Sequence, residues 1–305
     1  MNDVAIIIIN YNSNEFTKNC ISSIIDKTSD LILYQIIVID NSSLKEDFSE
    51  VNLFVENLNN ENIQLVRSRI NIGFGAGNML GVQYANAKYY AFINNDTLLK
   101  TDCLSGLSKF LDRNENIAVC APQCFNDKNQ YMETFDHFDS FGKIIFGRKI
   151  IEFFNSEKYP NRKKRHKNPI KVQAVAGSFM FFRGKDFDVV GGFDTNLFLY
   201  YEEVDICERL YNLKKYAMLV PSEQYVHFVG GSTKKNLLIK KELLISLFYV
   251  LKKHSKYMVY YMFLFITLLK YLFKSIFNLK YTPIFLLLLR GCPLSDSLKL
   301  KQRIQ

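Results

Sequence analysis

The chain has 305 residues, of which 48% are hydrophobic and 14% aromatic. This composition excludes an intrinsically disordered protein and is sufficient for one large domain with an appendage, or for two modest domains. The formal net charge of +9 is concentrated in residues 234–305, where fourteen Lys or Arg side chains face only Glu242 and Asp296. A basic segment that is also aromatic and aliphatic favours an anionic membrane surface, and not nucleic acid, as its partner.

The first third of the chain alternates strand and helix patterns. Continuous β-branched runs predict buried strands, and helical apolar spacing after a Ser or Asn cap predicts helices. In chain order the segments are VAIIIINYN (strand), SNEFTKNCISSIID (helix), YQIIVIDNSS (strand), IQLVRSRINIGFGAGNMLGVQYANA (short strand, glycine-rich loop, helix) and YYAFINNDTLL (strand). This alternation is typical of a mainly parallel α/β sheet, in which ligands bind beyond the carboxyl ends of the strands. Asn10, Asp40 and Asp96 stand at such ends.

The middle of the chain is less regular. A helix (LSGLSKFLDRN) and a strand (IAVCAPQCF) precede residues 126–171, which are polar and contain the basic run KYPNRKKRHKNP. This run is a solvated loop or a loop that attracts a phosphate-bearing partner or a membrane. A strand, a turn and a helix are then predicted in VQAVAGSFMFFRGKDFDVVGGFD, and a helix that begins with acidic residues, followed by a strand, in YYEEVDICERLYNLKKYAMLVP. The six cysteines form no CxxC pair and are expected to be buried thiols.

The C-terminal segment is apolar with scattered lysines between residues 239 and 277. A single helix through it would place Lys241, Lys252, Lys256, Lys270 and Lys274 on one stripe. The longest charge-free stretch, Tyr257–Leu269, is shorter than the ~20 residues that a membrane span needs. We therefore expect helices that lie in the membrane interface, with a true span, or packing on the protein itself or on a dimer partner, as alternatives.

Seven segments together carry a resemblance to a known family: VAIIIINYNS, VIDNSS, NIGFGAGNMLG, FINNDTLL, AGSFMFFRGKDFDVVGGFD, FLYYEEVDICERL and VHFVGGST. In this order they resemble the family 2 glycosyltransferases, and in particular the bacterial rhamnosyltransferase-like branch, over residues 3–233. The resemblance implies a GT-A fold, a nucleotide-sugar donor, a divalent metal (Mg²⁺ or Mn²⁺) and inversion at the anomeric carbon. It predicts a catalytic domain at 1–235 and a helical membrane-associating extension at 236–305.

The metal site that the resemblance implies contains Asp96, the last position of the family's metal motif. A carboxylate at a strand end suits Mg²⁺ or Mn²⁺, although Asp96 or Thr97 could instead cap a helix. Asn94 and Asn95 precede Asp96 where other branches have a second aspartate. His227 occupies the position of a second metal or diphosphate contact, and a structural role stays open.

The nucleotide-sugar contacts implied by the resemblance are Asn10, Tyr11, Asp40, Gly73, Asn78 and Asn95. Asp40 can accept a hydrogen bond from a ribose hydroxyl or a base N–H, and it could also form an Asx turn. Dinucleotide binding by GFGAGN is rejected, because Leu80 stands where the Rossmann spacing requires glycine or alanine and the loop follows the third strand.

The resemblance implies that the general base lies in YYEEVDICERL, where the family has two adjacent acids, a spacer and an aspartate, here Glu202, Glu203 and Asp205. Paired carboxylates raise the pKa of one member, which makes it a better proton acceptor. We predict Glu203 as the base, with Glu202 or Asp205 positioning the acceptor or holding the loop. Acids that stabilise a helix N-terminus are the alternative. Gly177 and Ser178 are expected on the acceptor side.

The sequence therefore predicts an inverting, metal-dependent glycosyltransferase at the cytoplasmic face of the membrane. A dTDP-rhamnose or UDP-hexose donor and a lipid-linked glycan acceptor for surface polysaccharide are expected, and a homodimer is possible through the apolar tail. A processive synthase is disfavoured, because the chain has no tryptophan and so no QxxRW motif. A nucleotidyltransferase would usually show a basic glycine-rich loop near the first strand, and a non-enzymatic membrane adaptor would not need polar strand ends.

Overall fold

The computed structural model describes residues 1–228 and 236–304, and the motif VHFVGGST and the predicted domain boundary at 235 fall partly outside them. The strands are β1 (Asn2–Asn10), β2 (Tyr34–Asp40), β3 (Ile63–Arg67), β4 (Ala87–Asn94), β5 (Thr97–Leu99), β6 (Ile117–Phe125), β7 (Phe135–Asp136), β8 (Ile170–Val172), β9 (Ala174–Val175), β10 (Phe179–Arg183) and β11 (Tyr216–His227). The helices are α1 (Asn14–Lys27), α2 (Lys45–Leu58), α3 (Phe74–Val82), α4 (Cys103–Asp112), α5 (Phe141–Phe146), α6 (Arg148–Phe154), α7 (Gly184–Val189), α8 (Glu202–Asn212), α9 (Leu237–His254), α10 (Tyr257–Phe277) and α11 (Thr282–Leu289).

The central sheet has nine strands, with β8 beside β11 and the remaining strands in the order β3-β2-β1-β4-β10-β6-β11-β5. The strands β1 to β4 are parallel, as are β6 and β11, whereas β10, β5 and β8 run antiparallel to their neighbours. The predicted α/β class is confirmed, and the sheet is mixed. The antiparallel β10 matters for the site, because its first residues lie beside the carboxyl end of β4.

The sheet is buried on both faces, as the uninterrupted apolar strands predict. Alternate residues of β1 belong to two separate cores: Ala5 and Ile7 pack into one, and Ile6 and Ile8 into the other. All six cysteines are free and buried, as expected. The packing of this apolar interior fixes the positions of the strand ends, and the polar residues of the candidate site lie at those ends.

Two local expectations are corrected, and one helix lies in a segment for which no element was predicted. YYAFINNDTLL is not one strand, because β4 ends at Asn94 and a two-residue turn leads into β5, which pairs with β11. Residues 45–58 form α2, a helix that the sequence pattern did not indicate, and only its Val51 is fully buried. Residues 126–171, expected to be irregular, contain α5 and α6.

The C-terminal segment is not a single helix. It breaks at Ser255 and Lys256 between α9 and α10, so the predicted lysine stripe through both is wrong. Most of the apolar side chains of α9 are buried, and Val250 belongs to the core on one face of the central sheet. For α9, packing on the protein itself, which was the alternative expectation, is therefore observed. By contrast, α10 is largely exposed and, by length and composition alone, is long and apolar enough to cross a membrane.

Candidate active site

The turn between β4 and β5 brings Asp96 to His227, the last residue of β11. Antiparallel pairing sets His227 opposite Thr97. The His227 Nε2 atom lies 3.1 Å from Asp96 Oδ1. Asp96 is 3% exposed, and its Oδ1 is buried without a hydrogen bond among the described residues. Helix capping does not explain Asp96, because the N-cap side chain of α4 is Asp102.

This pair fits a divalent cation. A buried carboxylate oxygen without a hydrogen-bond donor is stabilised by a nearby positive charge. An imidazole nitrogen beside it can serve as a second ligand atom. Among the described residues, no group of three or more His, Cys, Asp or Glu side chains is arranged to hold a metal ion. Asp96 and His227 would therefore hold the cation together with ligands from outside the protein, as is usual for Mg²⁺ bound with substrate phosphates.

The residues at the end of β1 form a closed polar network. Asn10 donates to Asp40 Oδ1 at 3.0 Å and accepts from Thr17 Oγ1 at 2.7 Å. Asn95 donates to the same Thr17 hydroxyl at 2.8 Å. Asn10, Asp40 and Asn95 are nearly or completely buried, whereas Tyr11 is 39% exposed. The network therefore fixes the β4–β5 turn on α1, and of this group only Tyr11 offers substantial surface to a ligand.

The glycine-rich loop lies against the segment that leads into α8. Gly73 has φ +85°, and a Cβ there would lie 2.3 Å from the carbonyl oxygen of Phe198. The next amide, Phe74 N–H, donates to that same oxygen at 2.8 Å. The buried Asn78 donates its amide to Phe74 O, one turn earlier in α3. The glycine at 73 is therefore required for close approach of the two loops.

Helix α8 begins from a strained backbone. Tyr200 and Tyr201 have φ values of +74° and +71°, which is an uncommon conformation for bulky residues. Glu202 follows and is 2% exposed, and its Oε1 has no hydrogen bond among the described residues. Burial and the neighbouring Glu203 raise the pKa of Glu202 well above its usual value. The raised pKa favours the neutral form of Glu202 over the charged form.

Glu203 has the properties expected of a proton acceptor. Burial raises its pKa to about 7, and the charge of Asp136 contributes to the increase. A Cβ placed on Gly177 would lie 3.8 Å from Glu203 Oε2, so the carboxylate faces the chain just before β10. A general base is most effective when its pKa is close to the working pH.

The Asp96–His227 pair and Glu203 lie along the same edge of the sheet. The backbone carbonyl of Ser178 accepts a hydrogen bond from the backbone amide of Asn94 at 2.9 Å. The Ser178 hydroxyl lies 2.6 Å from Tyr225 Oη. Ser178 thus connects the strand before Asp96 with the strand that carries His227. Its neighbour Gly177 faces Glu203. The structure therefore brings together residues that are more than a hundred positions apart in the sequence.

Asp205 lies elsewhere. It is fully buried, and it accepts from Arg209 Nε at 2.9 Å and from His254 Nε2 at 2.7 Å. Lys253 Nζ also lies 2.7 Å from it. Burial alone would raise its pKa, but hydrogen bonds from His254 and Lys253 lower the pKa of Asp205 to about 2. Of the two roles predicted for Asp205, this geometry supports holding the loop and not contact with an acceptor.

Sequence reasoning missed several residues around the site. Asp136 lies in the segment judged irregular, and His254 and Lys253 lie in the tail that was assigned to the membrane. The acidic FDHFDSF stretch next to a basic run could have indicated Asp136. No sequence signal indicated that Phe198 would contact the glycine-rich loop, because that contact is made by a backbone carbonyl.

The fold is that of the GT-A-type glycosyltransferases. A structure of GalNAc-T7 with UDP, GalNAc and Mn²⁺ superposes with a TM-score of 0.63 and 16% identity, over 83% of this chain and 48% of that one. The mannosyltransferase PcManGT from Pyrobaculum calidifontis, in complex with GDP-Man and Mn²⁺, superposes with a TM-score of 0.57 and 14% identity, over 83% of this chain and 66% of that one.

The chain belongs to glycosyl transferase family 2, whose family model matches residues 5–191. Rhamnosyltransferase WbbL of Escherichia coli (strain K12) is 29% identical over 51% of this chain and 61% of its own length. The dTDP-rhamnosyl transferase RfbF of Shigella flexneri is 22% identical over 66% of this chain and 62% of its own length. The chain therefore spans about three-fifths of the length of these relatives.

Proposed function

We propose that this protein is an inverting, metal-dependent glycosyltransferase that moves a sugar from a nucleoside-diphosphate donor to a hydroxyl group of a glycan. One observation carries the proposal: the Asp96–His227 pair and Glu203 lie along one edge of the sheet, both connected to residues 177–178. The first pair suits the diphosphate end of a donor, and Glu203 suits the acceptor hydroxyl.

The transfer requires one proton movement and one displacement. Glu203 accepts the proton of the acceptor hydroxyl, and the acceptor oxygen forms a bond to the anomeric carbon. The bond from that carbon to the diphosphate oxygen breaks on the opposite side, so configuration inverts and the nucleoside diphosphate leaves. A divalent cation held by Asp96 and His227 would neutralise the charge of the leaving diphosphate.

The two loops beside Glu203 have a supporting role. Gly73 and Phe198 hold the glycine-rich loop against the start of α8, so the donor loop and the base are positioned together. Glu202 is buried beside Glu203, and its raised pKa favours the neutral form, which limits the negative charge near the donor. The buried network of Asn10, Asp40 and Asn95 stabilises this edge of the sheet through hydrogen bonds. The exposed Tyr11 ring can pack against the base or ribose of the nucleotide.

The rhamnosyltransferase relatives favour dTDP-rhamnose as the donor, with UDP-hexoses as the second choice. We further propose a lipid-linked glycan of the cell surface as the acceptor, at the cytoplasmic face of the membrane. Helix α10 supports membrane association, because Tyr261, Phe265 and Phe273 are each about 60% exposed, and Lys270 and Lys274 bring positive charge close to them. We propose that it lies in the interface.

The test is release of nucleoside diphosphate from a panel of nucleotide sugars with Mn²⁺ or Mg²⁺, in the presence of a glycan acceptor. The proposal expects turnover that stops with a chelator and is restored by the metal. It expects near-complete loss with Glu203→Gln and retention with Lys45→Glu, an exposed residue of α2. Turnover by Glu203→Gln and Asp96→Asn at the parent rate would contradict the mechanism.

A further inference from the structure

The segment 141–168, named here the basic insertion, carries an exposed apolar surface. In α6, Ile150, Phe153 and Phe154 have the i, i+3, i+4 spacing of one helix face. Phe153 and Phe154 are 81% and 80% exposed, and their rings pack edge to face at 5.3 Å. Phe146 of α5 is a further exposed aromatic residue. Aromatic side chains this exposed are uncommon on a surface that contacts only water.

Positive charge accompanies these aromatic residues. Six exposed cations of the basic insertion have no carboxylate within 4 Å among the described residues: Lys149, Lys158, Lys163, Lys164, Arg165 and Lys167. Residues 164–168 and Ile170 line a hollow of about 390 Å³, and three of its lining side chains are Lys or Arg. The basic insertion thus carries both exposed rings and cations without a carboxylate partner, and Lys149 lies one turn before Phe153 in α6. This combination matches the two layers of an anionic membrane surface, acyl chains below and phosphates above.

The basic insertion is fixed to the wall of the active site. Asp136, which raises the pKa of Glu203, also pairs with Arg148 at 2.7 Å and Arg162 at 3.4 Å. His137, the next residue, lies 3.2 Å from Glu152 of α6. These contacts therefore fix the position of the basic insertion relative to Glu203.

We propose that the basic insertion is a second membrane-contacting surface, separate from α10, which inserts Phe153 and Phe154 among the acyl chains of an anionic bilayer and sets its phosphates against Lys163 and Lys164. The bilayer is the proposed occupant because one segment carries both the exposed rings and the cations without a carboxylate partner, with Lys149 on the same helix as Phe153 and Phe154. In its role of delivering a lipid-linked acceptor to Glu203, the proposal rests on the proposed function. The membrane contact itself does not depend on it.

The absence of tryptophan from the chain gives a direct test with the full-length protein. Phe153→Trp introduces a single tryptophan at the proposed contact, and Leu31→Trp, at a residue 89% exposed, is the matched control. With phosphatidylglycerol vesicles we expect a blue shift of the Phe153→Trp emission and quenching by lipids brominated in the acyl chain. The Leu31→Trp emission should not change. Unchanged Phe153→Trp emission on vesicles that sediment with the protein would overturn the proposal.

Charge is tested separately. Lys163→Gln with Lys164→Gln should weaken binding to phosphatidylglycerol vesicles about 30-fold and leave binding to phosphatidylcholine vesicles unchanged. The control is Lys45→Gln with Lys109→Gln, at exposed lysines of α2 and α4, which should bind like the parent protein. Parent-like binding by the 163/164 variant would contradict the proposed phosphate contact. Circular dichroism confirms that each variant is folded.

The two proposals fail differently. If no nucleotide sugar is turned over but the Phe153→Trp emission shifts, the proposed function is wrong and the membrane surface stands. If turnover of a water-soluble acceptor is normal and the emission does not shift, the membrane surface is wrong and the proposed function stands.

Discussion

Asp205 of α8 and His254 of α9 are joined by a hydrogen bond of 2.7 Å between buried side chains. This contact ties the helix that presents Glu203 to the first helix of the C-terminal extension. Nearby, Ser246 of α9 donates to the carbonyl of Leu199 at 2.8 Å. The extension therefore holds both the start of α8 and the loop that precedes it.

Loss of this clamp should reduce catalysis by moving Glu203. We expect His254→Ala to lower kcat while leaving the KM for the nucleotide sugar within about twofold, since a positioning residue acts on the chemical step and not on donor binding. Steady-state kinetics with a fixed acceptor measure both parameters. Lys252→Ala, at an exposed residue of α9 outside the clamp, is the control. An increase in the donor KM with unchanged kcat would contradict a positioning role.

Asp205→Asn should also destabilise the protein in a pH-dependent way. Because its pKa is lowered to about 2, Asp205 contributes stability that is present above about pH 4, the value for an unfolded aspartate, and is lost as the pH falls toward 2. Breaking a buried charge cluster costs about 3 kcal/mol of unfolding free energy. Urea unfolding at several pH values checks this, with Asp26→Asn, on the surface, as the control. A difference between parent and variant that persists at pH 2 would contradict it.

The pH profile of turnover should report Glu203. Its pKa of about 7 means that the base is protonated and inactive below that pH, so kcat/KM should rise with pH and level off above about 8. Glu203→Gln should lose about 100-fold to 10,000-fold in kcat/KM and should lack this limb. Initial rates across the pH range measure both. A parent profile that is flat between pH 6 and 8, on the order of one unit either side of the pKa, would rule out Glu203 as the titrating base.

Asp96→Asn should weaken metal-dependent nucleotide binding. The substitution removes the negative charge while keeping the size of the side chain, so titration calorimetry of a nucleoside diphosphate should show a large loss of affinity with Mn²⁺ and little change without it. Turnover should fall by on the order of 100-fold. Asp102→Asn, at the N-cap of α4, is the matched control and should affect stability only. Equal losses with and without Mn²⁺ would contradict a metal ligand.

Gly73→Ala tests the contact between the two loops. The backbone there has positive φ, and a methyl group would meet the carbonyl of Phe198 at 2.3 Å. Gly191→Ala has a similar φ of +77° but meets no atom within 4 Å. The control should therefore lose only the backbone cost of roughly 1 kcal/mol, and Gly73→Ala should lose about 1–3 kcal/mol more. Denaturant midpoints give both values, and equal losses would show that the loops do not depend on this contact.

The sequence predicted the parallel half of the sheet well, because apolar β-branched runs such as β1 and β2 have few alternatives. It also predicted which residues lie at the strand ends. It could not predict that Asn10 and Asn95 use their amides inside a closed network, since pairing partners depend on tertiary distances. The break between α9 and α10 was missed because Ser255 and Lys256 carry no proline or glycine signal. The predicted roles in nucleotide binding remain predictions for all six residues: Asn10, Tyr11, Asp40, Gly73, Asn78 and Asn95.

The burial of Val250 in the catalytic core has a practical consequence for anyone preparing a shortened protein. A boundary drawn at the first basic residues of the tail would remove α9, expose the apolar residues beneath it and release Asp205 from its partners. A stop codon placed after Ser255 keeps α9, but it removes the buried α11 residues Ile284, Leu287 and Leu288 that pack against α9. It also removes Ser297 and Leu298, which donate to the buried Glu242 carboxylate, so a shortened protein should keep the C-terminal segment through residue 298.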